Sequence, residues 1–322
     1  MNWKSILTVL ATFALLCLLT GCGSRTQQTP AQGTPESTQE TQEAAAQPDG
    51  EYMFTREQFP RLDGSASTLP FGQAVASVLL GESRAQVADI IHFNKTANAY
   101  RALMDGTADV LLASEPALLV WAEKDDGGYD WDMSPFAVDA LVFIVNASNP
   151  VESLTREQLR DIYAGRITNW AQVGGEDVEI EAFQRDEGAG SQTAMFNLVM
   201  EGEPMMEAPT DLVRGEAGDF MEAAASFKNS PAAIGYTMYY YAHNMDASDG
   251  VKILSVNGVT PGAETIRDGS YPLLSNYYVV TDAGRPDGDP AKLLYDWILS
   301  EEGQRLAAHE GYIPWTETGG GA

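Results

Sequence analysis

From about residue 51 onward, apolar positions recur at helical spacing in some stretches and cluster in short continuous or alternating runs in others. Phe71, Ala74, Val75, Val78 and Leu79 share one predicted helical face, with Pro70 in the first turn and Gly81 just beyond the last. Tyr100, Leu103 and Met104 mark a shorter amphipathic helix closed by Gly106. Thr155 and Gln158 have capping-box spacing ahead of Leu159, Ile162 and Tyr163, and Gly165 ends that helix. A further helix is predicted over Ala194, Met195, Leu198 and Val199, and a last one opens at Asp289-Pro290 with Leu293, Leu294, Trp297 and Ile298 inward. Between these lie predicted strands at Val110–Leu112, Leu141–Val145 and the alternating Val178, Ile180 and Ala182. Helices and strands interleaved in this way predict an α/β fold with helices packed on sheets.

The first fifty residues follow neither pattern. Lys4 precedes an apolar stretch from Ile6 to Thr20, too short for a comfortable span, which ends in Leu19-Thr20-Gly21-Cys22. This resembles a bacterial lipoprotein signal: residues 1–21 are expected to be removed, and Cys22 to carry acyl chains that hold the protein on the outer face of a membrane. Residues 22–50, rich in Gln, Thr, Ala, Glu and Pro, cannot bury enough apolar surface to offset ordering entropy and read as a flexible tether. The one other cysteine, Cys17, lies within the signal, so no internal disulfide is expected after processing.

Charge narrows the choice of partner. The formal net charge of −27 repels phosphate backbones, and no basic stripe offsets it, which argues against nucleic acid. His92, His243 and His309 stand in no metal-ligand spacing, and no nucleophile elbow or P-loop is present, so neither a metal, a cofactor nor catalysis is expected.

The candidate chemistry sits where loops open helices. The run Val178–Ala182 leads to Arg185 and then to the small-residue turn Gly188-Ala189-Gly190-Ser191, so N–H groups near Gly190, Ser191 and Gln192 stand at a helix start beside a permanent cation. Ser67 and Thr68 precede the first helix and Thr96 the second; each hydroxyl is either a cap or a ligand to an anion. Ser114-Glu115 emerge from the end of the Val110–Leu112 strand, where α/β proteins place ligands. A carboxylate there accepts a proton that monohydrogen phosphate carries and sulfate lacks, unless Glu115 is a surface residue in a turn before Pro116.

Several of these stretches resemble one family. LTREQLRDIYAGRITNW (154–170), Gly64–Pro70, AFQRDEGAGSQT, IGYTMYYY (234–241) and the closing LLYDWILSEEGQRLAAHEGYIPW are similar to the PstS type of phosphate-binding lipoproteins of bacterial ABC importers. The resemblance implies a type II periplasmic-binding-protein fold with ligand held between two lobes. Residues 51–139 with 246–322 would form the first lobe and 140–245 the second, with crossings near Leu141–Val145 and Tyr236–Tyr241. It implies ligand contact from Thr68 and the Leu69 backbone, from Thr96 and Glu115, and from Arg185, Gly190 and Ser191, with Ser67, Ser114, Ala189 and Gln192 as further candidates. It also implies inorganic phosphate as ligand, an ABC permease as partner and a monomeric receptor. Glu115 replaces a common aspartate and Ala189 a common serine, which leaves another oxyanion such as sulfate, molybdate or tungstate, or a sensor or adhesion role, as alternatives.

Overall fold

The central sheet is organised by a single long strand, Trp131–Asn146, whose pairing partners change part-way along it. This computed structural model describes residues 53–207, 213–214, 230–244 and 250–318; Cys22, the predicted signal and the tether lie outside the described residues. Along its first part the strand pairs antiparallel with Leu274–Asp282, from Trp131 opposite Asp282 to Ala140 opposite Leu274. From Leu141 it pairs instead with Ala233–Met238, and near its end with Val251–Ile253. Residues 136–146 are buried almost without interruption, as expected of a strand covered on both faces.

Outward from the first part come Val110–Ser114, antiparallel to Leu274–Asp282, and then Leu62–Gly64, parallel to Val110–Ser114. Glu181–Ala182 adds in parallel to Ala233–Met238 on the other side. Val251–Ile253, expected in the first lobe, pairs with Ile144–Asn146 in the second part of the sheet, and Ser255–Val256, also expected there, pairs in parallel with Ser153–Leu154 as a separate two-stranded sheet.

The helices match the spacing with few departures. Leu69–Leu80 ends at Gly81 in the left-handed region, and Arg156–Tyr163 carries the predicted capping box, with Thr155 Oγ1 accepting from the Gln158 N–H at 3.1 Å. Asp289 accepts from the Ala291 N–H at 2.8 Å and starts Pro290–Leu299. Val78 and Leu293, expected inward, are each 40% exposed: they lie at the margin of their helical faces. The strand predicted over 178–182 is only Glu181–Ala182, followed by Gln184–Arg185, because Asn169 and Trp170 already bond the backbone at Glu179 and Val178.

Each part of the sheet has its own aromatic cluster. In the first, Phe71 stacks on Phe136 at 4.9 Å between centroids and Tyr312 on Tyr240 at 4.1 Å. In the second, Phe143, Tyr163 and Tyr236 lie 5.2–6.1 Å apart. Each cluster supports a loop through a tyrosine: Tyr312 donates to the Ser67 carbonyl at 2.7 Å, and the Tyr236 oxygen accepts from the Arg185 N–H at 3.2 Å.

Candidate oxyanion site

Three helix starts converge on one cavity of about 330 Å³. Ser65, Ala66 and Ser67 come from the approach to helix Leu69–Leu80, and Asn94, Lys95, Thr96 and Asn98 from the opening of helix Thr96–Met104. Arg185, Ala189, Gly190 and Ser191 come from the turn into helix Gly190–Met195, while Phe93, Thr237, Met238 and Tyr241 complete the wall. Backbone N–H groups at helix starts favour negative charge, and the only charged side chains on the lining among the described residues are Lys95 and Arg185.

The loops are locked to one another. Ser65 Oγ shares a 2.8 Å hydrogen bond with Thr96 Oγ1 and accepts from the Ser114 N–H at 2.9 Å. Buried Asp63 accepts from the Asn94 backbone at 2.7 Å and from its amide at 2.9 Å, fixing the second loop on the first strand. Lys95 pairs with Asp186 at 2.8 Å, and the Ala97 N–H donates to the Gly188 carbonyl at 3.4 Å, tying the second loop to the arginine turn. Lys95 holds φ at 70° with ψ at 159°, a conformation rare for a residue with a side chain and concentrated at functional sites.

Gly190 is required by proximity. A Cβ there would stand 2.6 Å from Ser114 Oγ and 2.9 Å from Thr96 Oγ1, so only glycine lets the arginine turn close on the other loops. Burial pushes the Tyr241 hydroxyl above the ordinary phenol range, partly countered by the nearby Arg185 charge.

The expected ligands divide into those on the cavity wall and those elsewhere. Thr96, Arg185, Gly190 and Ser191 line it, as do Ser67 and Ala189. Thr68 and Leu69 do not. A short 3₁₀ turn, Ala66–Thr68, precedes the helix and commits their donors: the Thr68 N–H to Ser65, the Leu69 N–H to Ala66, and the Thr68 hydroxyl to the carbonyls of Ser65 and Leu112. Gln192 also turns away, accepting from the Arg185 N–H at 3.1 Å and from the Tyr236 hydroxyl, and so holds the turn from beneath. Ser114 is buried behind Gly190 and its Oγ makes no hydrogen bond.

Glu115 departs furthest. It is exposed and lines a larger neighbouring groove of about 1010 Å³, where Asn197 Nδ2 approaches its carboxylate at 3.5 Å. Ser114, the last residue of the strand, packs behind Gly190, and the next residue along points outward. Ser65, Ala66, Phe93, Asn94, Asn98, Thr237, Met238 and Tyr241 were not singled out from the sequence, though Asn94 and Asn98 lie two residues either side of Thr96 and Thr237, Met238 and Tyr241 fall in the IGYTMYYY run.

Comparison with known proteins gives this geometry a lineage. A family model described as a PBP superfamily domain matches residues 35–302. The phosphate-binding protein PstS of Staphylococcus saprophyticus is 30% identical over 226 residues, covering 68% of each chain. The chain belongs to the PstS family. The PstS protein of Borreliella burgdorferi is 31% identical over 183 residues, 55% of this chain, and the chain spans only 64% of the length of that relative. Among solved structures, a candidate phosphate ABC transporter substrate-binding protein from Clostridium perfringens with bound phosphate is similar, with a TM-score of 0.63 and 26% identity. That alignment covers 79% of this chain and 98% of the other. The PstS-family fold accounts for the type II α/β architecture, in which one strand serves both parts of the sheet.

Proposed function

We propose that this PstS-family protein captures inorganic phosphate outside the membrane and delivers it to an ABC permease. The observation that carries this reading is the convergence of three helix starts, Lys95 and Arg185 on one cavity with no carboxylate on its described wall. A receptor rather than an enzyme fits this wall, which offers donors and cations but no nucleophile paired with a base. The two parts of the sheet act as two lobes, and their approach around ligand is the signal a permease can read. Cys22 carries the lipid anchor, the tether supplies reach, and the receptor works as a monomer.

The place of Glu115 favours a second reading, a receptor that discriminates less sharply among oxyanions, because its proton-accepting carboxylate is outside the cavity. Calorimetric titration of the anion-stripped chain with phosphate and then sulfate tests both. Phosphate heat that sulfate does not displace supports the first reading, and displacement by sulfate supports the second. An absence of heat with either anion would overturn the oxyanion site.

A further inference from the structure

The loops around the cavity belong to different parts of the sheet, and one ion pair joins them. Asn94 is bonded to Asp63 of strand Leu62–Gly64, so Lys95, Thr96 and Ala97 stand with the first part. Arg185 and the turn after it follow Glu181–Ala182, which pairs with Ala233–Met238, and so stand with the second. Lys95 Nζ meets Asp186 Oδ2 at 2.8 Å across this division, 91 residues away in the chain. The other oxygen of the same carboxylate accepts from the Gly188 N–H at 3.0 Å, and the Gly188 carbonyl accepts from the Ala97 N–H at 3.4 Å. One side chain, Asp186, thus shapes the arginine turn and holds it against the second loop.

Two observations separate this pair from an ordinary surface ion pair. Its side chains are 29% and 30% exposed, against 63% and 81% for Arg305 and Glu301, so solvent screens it less. Lys95 also holds φ at 70° and ψ at 159°, a region that almost only glycine occupies without strain. Glycine would make the same turn at no such cost, so the reason for a lysine lies in its side chain, and that side chain is engaged by Asp186. We infer that Lys95 and Asp186 form a latch between the two parts of the sheet that slows the release of bound anion. Arg185 faces the anion, whereas Lys95 is a positioning residue: it acts through Asp186 by keeping the arginine turn seated on the second loop.

This inference rests on the reading of the cavity as a phosphate site, and the test separates the two. The full chain is loaded with radiolabelled phosphate and its release is followed after a chase with excess unlabelled phosphate, for the parent, Lys95→Met, Asp186→Asn and the double variant. A latch makes the effect of Lys95→Met depend on Asp186: release quickens about fivefold in the parent background and less than about twofold where Asp186 is already asparagine. Equal quickening in both backgrounds would show that the ammonium contacts the anion itself, which overturns the latch and leaves phosphate capture standing. A parent chain that retains no phosphate overturns both. Lys95→Gly gives an independent readout, because it removes the pair and the backbone strain together: its urea midpoint is expected at or above that of the parent, with release quickened as in Lys95→Met. A lowered midpoint with unchanged release would reduce the pair to a structural tie and sink the latch.

Discussion

The central cavity and the groove beside it share Lys95 yet treat carboxylates in opposite ways. On the cavity wall the charged groups are Lys95 and Arg185, whereas the groove gathers Glu115, Asp186, Glu187, Glu201 and Glu203 around exposed Leu118, Leu119 and Phe196. The protein carries 46 acidic residues against 19 basic ones, so keeping carboxylates off a wall built from three separate loops requires specific placement. The groove has no such restriction, because solvent screens its acids and several are paired: Glu201 with Arg156 and Arg160, Glu203 with Arg166. An anion site in an acidic protein therefore depends as much on where acids are excluded as on where donors are aimed.

A third environment sharpens the contrast. Asp139 is buried at the junction where the long strand changes partners, accepting from the Tyr277 hydroxyl at 2.5 Å and from the N–H groups of Ala140 and Tyr240 at 2.7 and 3.1 Å. Burial pushes its carboxyl up to about 7, and these hydrogen bonds pull the other way. The folded state thus holds a proton that the unfolded chain releases near pH 4, so stability from this group is greatest below about pH 4 and is lost as pH rises toward 7. Asp139→Asn is expected to remove that slope, worth about 3–4 kcal/mol on a shift of this size. Urea unfolding of both proteins from pH 4 to pH 8 measures it, and parallel stability curves would refute it.

Next in size is the cation on the cavity wall. Arg185→Ala should weaken phosphate binding about 100-fold, the loss of charge-assisted hydrogen bonds of about 1.5–3 kcal/mol. Titration of the variant reads this directly; affinity within about threefold of wild type would mean that the guanidinium does not face the anion. Ala189→Ser places a hydroxyl on the same wall and should tighten phosphate binding by up to about tenfold. A weaker complex would show that the methyl group is needed where it stands.

The smallest effect is expected from the groove. Glu115→Gln should change phosphate affinity by less than about threefold, because the carboxylate lies outside the cavity. A large loss would reverse the comparison, since it would bring Glu115 into contact with the bound anion.

Much of the fold was legible in the residues. The helices at 69–80, 96–104, 156–163 and 290–299 follow from local pattern and caps, because an apolar stripe with a start and stop signal constrains the backbone through neighbours a few residues away. The alternation over 178–182 extends further than the paired strand, Glu181–Ala182. Alternation identifies a chain that can pair, but the partner takes only the residues its register reaches, here Glu181 and Ala182. At the site, Thr96, Arg185, Gly190 and Ser191 were legible because glycine, hydroxyl and arginine at a helix start have few other common explanations.

By itself, the sequence determined an α/β chain, the positions of its helix starts, its acidity and its membership of a family, all of which depend on local order or on composition. Only the tertiary structure decided which atoms at those starts face the cavity. Thr68 and Leu69 are turned away from the cavity by one 3₁₀ turn, and Glu115 is turned outward at the end of its strand, while Met238 and Tyr241 arrive from 170 and 173 residues further along than Thr68. A side chain's direction at a loop depends on what packs behind it, as Ser114 packs behind Gly190, and those contacts join residues that are distant in the chain.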